Sequence, residues 1–295
     1  MKNIIIVTGG AGFVGSNLIE HLLKKTKKKI ISLDNYSSGT KKNHIINKRV
    51  KYLNINTSKI DTSLSKIKKK IHTIFHFGEF ARIYQSFKDF DKCYDSNTIG
   101  TKAVFKFCLE NKIKLIYSAT SASLGNKGKD KNLSPYAFTK SQNLELLDNL
   151  KKWFKFKFEV IYFYNVYGPR QIRSGKMATV IGIFEDLYLK KKPLTVVKPG
   201  TQTRRFTHIK DTIEVCYLAW KRNKCSHYSI SHKKAYSIKN VAKMFNSNIT
   251  YLKERAGERY ASALTKISIN NQIIGKYGKI NLKDYITSFI KSKKL

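Results

Sequence analysis

The chain has 295 residues, 41% of them hydrophobic, and a formal net charge of +39. Its apolar runs are only strand-length, so no signal peptide or membrane span is expected, and the four cysteines lack metal-ligand spacing and read as reduced cytosolic thiols. The length suggests two domains, or one α/β unit with a smaller appendage.

Asn3 to Thr8 is a β-branched run that reads as a buried parallel strand. Gly9-Gly10-Ala11-Gly12-Phe13-Val14-Gly15 follows at once, and Ser16 to Lys25 then repeats Leu18, Ile19, Leu22 and Leu23 at helical spacing. Strand, glycine turn and helix together are the context that phosphate binding requires. Gly9 permits the tight turn, Gly12 lets the backbone approach a pyrophosphate, and Gly15 allows close helix–strand packing. The helix then presents unpaired N–H groups to the phosphates. A second strand, Lys29 to Leu33, ends in Asp34, about 20 residues past the glycines. An acid there suits the ribose hydroxyls of NAD and repels the extra phosphate of NADP.

Further strands are expected at Val50 to Ile55, followed by Asn56, and at Ile71 to Phe77, followed by Gly78. His72 and His76 share a strand face without other ligands nearby, which argues against a metal pair. A long helix is predicted over Asp95 to Asn111, then a strand over Lys114 to Ser118 that delivers Thr120 to the carboxyl edge, where ligands sit in open α/β sheets. The next helix opens at Tyr136 and runs to about Leu150, and a sixth strand covers Phe158 to Asn165 before Gly168-Pro169. This alternation specifies a doubly wound parallel sheet, the Rossmann arrangement. Beyond Gly168 the pattern loosens. Helices are expected at Met177–Lys190, Asp211–Trp220, Ser237–Phe245 and Leu282–Ile290, with strands at Leu194–Val197, Thr203–Ile209 and His227–Ser231. The expected division is 1–167 for the dinucleotide, with segments near 205–231 returning to the sheet, and 168–295 mostly for a small substrate-binding lid. The Lys-rich tail is expected to fray.

Tyr136 and Lys140 stand four apart behind Pro135, so a helix opening at Pro135 carries both on one face. A phenol with a pKa near ~10 is a poor base at neutral pH. An ammonium about 4 Å away would favour the phenolate by ~4 kcal/mol at an effective dielectric of ~20, roughly three pKa units. Thr120, from the preceding strand end, would share the proton in flight. In a chain with 17 tyrosines and abundant lysine, such a pair also arises by chance as an exposed helix pair, and the N-terminal glycine turn is the context that gives it weight.

With these motifs the chain resembles the extended short-chain dehydrogenase/reductase family, and within it the nucleotide-sugar epimerases of the UDP-glucose 4-epimerase type. The resemblance covers nearly the whole chain. It rests on Thr8 to Gly15, Asp34-Asn35-Tyr36, Asn97-Thr98-Ile99-Gly100-Thr101, Ser118-Ala119-Thr120, the Tyr136/Lys140 pair, Tyr162 to Pro169, Gln202-Thr203-Arg204 and Arg255-Ala256-Gly257-Glu258. It implies Thr120, Tyr136 and Lys140 as catalytic residues. It implies NAD held by Gly9, Gly12, Phe13, Val14, Gly15, Asp34, Asn35, Ile55, Asn56, Phe77, Gly78, Asn97, Tyr136 and Lys140. Substrate diphosphate and sugar fall to Arg82, Thr120, Asn165, Arg204 and Arg255. Departures are Asn56 in place of the usual acid, Glu79 after the fourth strand where small residues are usual, Arg205 in place of an Asp, and Leu124 in place of the usual Tyr before Gly125.

The activity the resemblance implies is epimerisation at C4 of a nucleotide sugar, UDP-glucose/UDP-galactose or their N-acetyl equivalents, through a transient 4-keto sugar on a retained NAD. The 4,6-dehydratases of this family carry an Asp-Glu pair beside the hydroxyl residue. Here Ala119-Thr120-Ser121-Ala122-Ser123 has no acid, which favours epimerisation over dehydration, decarboxylation or reduction. The resemblance also implies a homodimer, formed through the 95–111 and 136–150 helices; the cysteine and histidine spacing and the strand-length apolar runs add the expectation of a cytoplasmic protein with no metal and no membrane partner. Nine of the 58 basic residues are arginines, leaving 49 lysines dispersed through every segment with no single stripe. This placement favours compositional drift over nucleic-acid binding, and a non-enzymatic NAD- and RNA-binding protein is the remaining alternative.

Overall fold

In a computed structural model the described residues are 2–124, 131–257 and 278–293. Gly125, Glu258 and the last two residues of the tail, for which expectations were given above, lie outside them. Seven strands form one fully parallel sheet: β1 (Ile4–Thr8), β2 (Lys29–Asp34), β3 (Val50–Asn54), β4 (Ile71–His76), β5 (Lys114–Thr120), β6 (Phe158–Phe163) and β11 (His227–Ser229). Their order is β11-β6-β5-β4-β1-β2-β3, so the strand order reverses beside β1. Ligand crevices open at such a reversal.

Successive residues of a strand face opposite ways, which assigns each side its own core. Ile4 and Ile6 pack into one layer with Val104, Phe105, Tyr117 and Leu147. That layer is built by α2 (Ile60–Leu64), α3 (Ile83–Lys88), α4 (Phe90–Tyr94), α5 (Thr101–Glu110) and α6 (Pro135–Phe154). Ile5 and Val7 pack into the other layer, with Leu18, Leu22, Ile213 and Trp220 from α1 (Phe13–Lys25) and α8 (Ile209–Arg222).

The helix predicted over 95–111 is interrupted. Asp95–Gly100 winds as a π turn between α4 and α5, a form common at functional sites. It holds Asn97 buried, and Gly100 there leaves a Cβ no room beside the Thr57 hydroxyl. By contrast α6 starts as its sequence indicates. Ser134 accepts from the Ala137 amide at 3.1 Å and Pro135 occupies the first turn. It ends four residues later than expected, at Lys155 in the left-handed conformation (φ 55°).

Beyond Tyr167 a third cluster gathers Phe184, Val196, Phe206, Phe245 and Ile286. It is made by α7 (Val180–Leu189), α9 (Ile238–Lys243), α10 (Leu282–Lys291) and short paired strands. Of these, β7 (Val166–Tyr167) pairs with β10 (Thr207–His208), β8 (Leu194–Val197) with β13 (Ile249–Leu252), and β9 (Thr203–Arg205) with β12 (Ala235–Ser237). The single strand expected over Thr203–Ile209 is therefore two, split at Phe206, whose buried ring turns the chain from one small sheet to another. Among the described residues no helix is long and apolar enough to cross a membrane.

Candidate active site

The glycine turn leaves β1 and enters α1 at the carboxyl edge. Gly9 has φ +68°, and a Cβ there would lie 2.9 Å from the Gly78 amide nitrogen. A Cβ on Gly15 would lie 2.2 Å from the Gly9 carbonyl oxygen. Neither site can hold a side chain, because the obstacle is backbone. Gly12 caps α1 without a side chain, and the first turn of α1 carries no acid. The amides of Phe13, Val14 and Gly15 precede the first intrahelical bond, which Ser16 makes to Gly12 at 3.1 Å. They form the positive pole that a pyrophosphate would take.

At the end of β2, Asp34 accepts from the Ala11 amide at 2.9 Å and the Tyr36 amide at 2.8 Å. Burial pushes its carboxyl above the ordinary range, opposed by those two amides. Each oxygen keeps a lone pair for a ribose hydroxyl. Asn35 and Asn56 turn their side-chain oxygens to local amides, those of Ser37 and Ser58. Ile55 packs beside the core. These residues line the edge where a dinucleotide fits, and the cradle is one that added side chains would fill.

Thr8 ties the turn to β4. Its hydroxyl accepts from the Phe77 and Gly78 amides at 3.0 and 2.9 Å, so its own proton goes to His76 Nδ1 at 2.7 Å. His76 is then protonated on Nε2 and donates to Thr101 at 3.0 Å, and Thr101 donates to Glu79 Oε1 at 3.0 Å. Full burial lowers the His76 pKa to about 4, keeping the ring neutral.

Tyr136 and Lys140 do project from one face of α6, with Thr120 opposite. The Thr120 hydroxyl, close to the Tyr136 phenol, favours its ionisation. Lys140, however, turns its Nζ to Glu79 Oε2 and to the Ser118 carbonyl, 2.6 Å away, and lies 4.7 Å from the centre of the Tyr117 ring. The expectation that Lys140 depresses the Tyr136 pKa is corrected here. Burial pushes the phenol up to about 12, and the Glu79 charge adds to that rise. Thr120 and Arg82 oppose it. An ion pair presents Tyr136 with a dipole rather than a bare cation, so desolvation wins.

Glu79, flagged by sequence only as a departure, is the hub. Its carboxylate also accepts from Tyr117 at 3.1 Å and Asn143 at 3.3 Å. The sequence reading missed Tyr117, Thr101 and Asn143 in this role. Asn143 was detectable as the residue one turn past Lys140 on the same helix face. Asn97 clamps the Glu79 loop through both the amide and the carbonyl of Phe80, at 2.7 and 3.1 Å.

The expected substrate residues are held by partners of their own. Arg82 donates to the Met177 and Ala81 carbonyls and raises no barrier to Tyr136, whose charge it favours. Asn165 donates to the Arg205 carbonyl at 2.9 Å, Arg204 to the Thr203 carbonyl at 2.9 Å, and Arg255 lies over the Tyr84 ring at 4.9 Å. The described residues show no direct contact of these three with Tyr136.

The family model described as NAD dependent epimerase/dehydratase family matches residues 5–231. The chain belongs to that family. The match spans every strand of the main sheet, the glycine turn, Asp34 and the Thr120/Tyr136/Lys140 group. Within the family, an uncharacterized UDP-glucose epimerase of Bacillus subtilis, YtcB, is 30% identical over 227 residues, 71% of this chain and 70% of its own length. The ADP-L-glycero-D-manno-heptose-6-epimerase of Brachyspira hyodysenteriae is 28% identical over 298 residues, covering 95% of this chain and 89% of that protein. Among solved structures, the UDP-glucuronic acid 4-epimerase of Bacillus cereus, determined with UDP-glucuronic acid and NAD, superposes with a TM-score of 0.87 at 26% identity, over 99% of both chains. NAD is thus the cofactor of this epimerase/dehydratase-family chain, and the cradle around Gly9, Gly15 and Asp34 fits it.

Proposed function

We propose that the protein is an NAD-dependent nucleotide-sugar 4-epimerase. The observation that carries this reading is the placing of Thr120 beside Tyr136 at the carboxyl edge, where it favours ionisation of the phenol, in a segment where residues 119–123 supply no carboxylate for elimination. UDP-glucose/UDP-galactose or their N-acetyl equivalents are the proposed substrates. Bound NAD supplies the hydride acceptor and, oxidised, a positive charge. Tyr136 takes the proton of the C4 hydroxyl and later returns one to the transient 4-keto oxygen, so no net proton is consumed. Thr120 shares that proton and holds the same oxygen. Lys140, fixed by Glu79 and the Ser118 carbonyl, orients the ribose side of the cofactor site. The segments after Gly168, with Asn165, Arg204 and Arg255, are proposed to hold the diphosphate, and Asn97 and Phe77 to border the nicotinamide end.

A cytoplasmic homodimer completes the reading. Supporting it, α4, the π turn and α6 expose Phe90, Ile99 and Phe138, an apolar face suited to a second copy.

The deciding experiment incubates the purified protein, without added cofactor, with a panel of nucleotide sugars and separates products by chromatography. Epimer pairs are expected, and Tyr136→Phe should lower turnover by about 10²–10⁴-fold, the usual worth of a positioned base. A 4-keto-6-deoxy product would assign dehydration instead. Unchanged turnover in Tyr136→Phe would refute the mechanism.

A further inference from the structure

We infer that the sheet edge opposite the active site is a docking face for an anionic lipid surface. In the sequence the lysines look dispersed. Parallel pairing of all seven strands brings every strand entrance to one edge. Each entrance has a Lys or Arg within three residues before the strand or at its first position. Lys2 precedes β1, Lys28 precedes β2 and Arg49 precedes β3. Lys70, Lys112, Lys157 and Lys224 precede β4, β5, β6 and β11. At the opposite edge the three residues after each strand include no Lys or Arg at all: 9–11, 35–37, 55–57, 77–79, 121–123, 164–166 and 230–232. Compositional drift alone does not produce that polarity.

The cationic entrances are contiguous. Lys28 Nζ reaches the Lys2 carbonyl at 3.1 Å, and Lys2 Nζ reaches the Lys112 carbonyl at 3.1 Å. Neighbouring strands lie about 4.8 Å apart, so the row is about 29 Å long. Helices returning from the carboxyl edge end here as well. α1 closes with Lys24 and Lys25, and α6 with Lys151 and Lys152. Two acids of this edge are already engaged. Glu159 is buried against Lys114 at 3.3 Å, and Glu110 pairs with Lys106 at 3.7 Å.

Trp153 and Phe154 then decide the class of partner. They close α6 at this edge, 63% and 59% exposed, while Phe156 and Phe158 turn into the core. An exposed Trp–Phe pair framed by lysines is the composition of an interfacial anchor, with aromatic rings at headgroup depth and ammonium groups on the phosphates. Lysine, a point charge, suits diffuse attraction to a lipid surface, whereas nucleic-acid recognition favours the arginine fork that this chain uses sparingly. Docked this way, the catalytic edge faces away from the lipid and stays open to a water-borne nucleotide sugar.

The test uses the full chain with vesicles of phosphatidylcholine alone or mixed with phosphatidylglycerol. Co-sedimentation is expected only with the mixed vesicles, and it should weaken with salt. The chain has two tryptophans. Trp220 is buried and bonds Thr73 at 3.0 Å, so a blue shift of emission on adding vesicles reads Trp153. The pair Lys155→Glu/Lys157→Glu, and separately Trp153→Ser/Phe154→Ser, should each cut partitioning roughly tenfold or more. Neither change touches the active site, so turnover should be unchanged. Should a variant misfold, the wild-type fluorescence titration alone decides. No sedimentation with anionic vesicles at low salt overturns the inference, as does salt-sensitive RNA binding without vesicle binding.

Discussion

Glu79 and Lys140 form an ion pair that water scarcely reaches, their side chains 2% and 4% exposed. The pair joins the loop after β4 to the second turn of α6, near enough to Tyr136 for Glu79 to act on its charge. Burial lowers the Lys140 pKa and the Glu79 charge raises it again, so the carboxylate is what keeps the amine protonated. Glu79 simultaneously raises the Tyr136 pKa. One residue therefore supports the charge of Lys140 and opposes ionisation of the Tyr136 phenol.

Glu79→Gln removes the charge from both neighbours but leaves Lys140 an acceptor oxygen. In Glu79→Gln the phenol loses a negative neighbour, and ionisation becomes easier. The acid limb of the kcat/KM profile should move to lower pH than in the wild type. An unmoved limb would mean that Glu79 does not act on the proton transfer. Glu79→Ala leaves Lys140 buried without its partner and should cost about 3–5 kcal/mol of stability. Urea unfolding of both variants gives that figure.

Asp34 is proposed to set cofactor choice. Its two oxygens are fixed by the Ala11 and Tyr36 amides, and repulsion of a 2′-phosphate follows from that fixed charge. Asp34→Ala should weaken NAD binding by roughly tenfold or more, about 1.4 kcal/mol per decade, and narrow the preference over NADP. Calorimetric titration with both dinucleotides checks this, and an unchanged ratio of the two affinities would count against the assignment.

His76 predicts acid lability. Burial lowers its pKa in the folded protein to about 4, below the usual imidazole value of about 6.5. Above pH 6.5 the ring is neutral in both states and nothing is lost. As pH falls from 6.5 toward 4 the unfolded chain takes up a proton that the folded chain refuses. Stability should drop by about 3 kcal/mol across that window. His208, also lowered to about 4 by burial, adds a loss of the same sign over the same range. Urea midpoints at several pH values between 7 and 4 test the slope, and His76→Gln should flatten it. Midpoints that stay level in the wild type would contradict the neutral, buried ring.

Much of the fold is local in origin, which is why it could be read early. The apolar run before Gly9, the Gly9/Gly12/Gly15 spacing and the Ser134-Pro135 cap each act within a few residues, and each element formed where its own residues favour it. The π turn at Asp95–Gly100 was not legible, because helical periodicity continues through it and the departure is made by Asn97 reaching the Phe80 backbone. The split at Phe206 escaped for a like reason, since its ring is drawn into a core built by distant segments.

For the site, the sequence by itself determined which chemical groups are present: the glycine cradle, Asp34, a phenol and an amine one helical turn apart, and no acid beside Thr120. Only the tertiary structure decided what charge those groups feel. Sixty-one residues separate Glu79 from Lys140, and the two meet because α6 packs over β5, the strand next to β4. Electrostatic interaction depends on distance and burial in space rather than on spacing along the chain. The same holds for the lysines, which are scattered in sequence yet share one edge because every strand runs the same way.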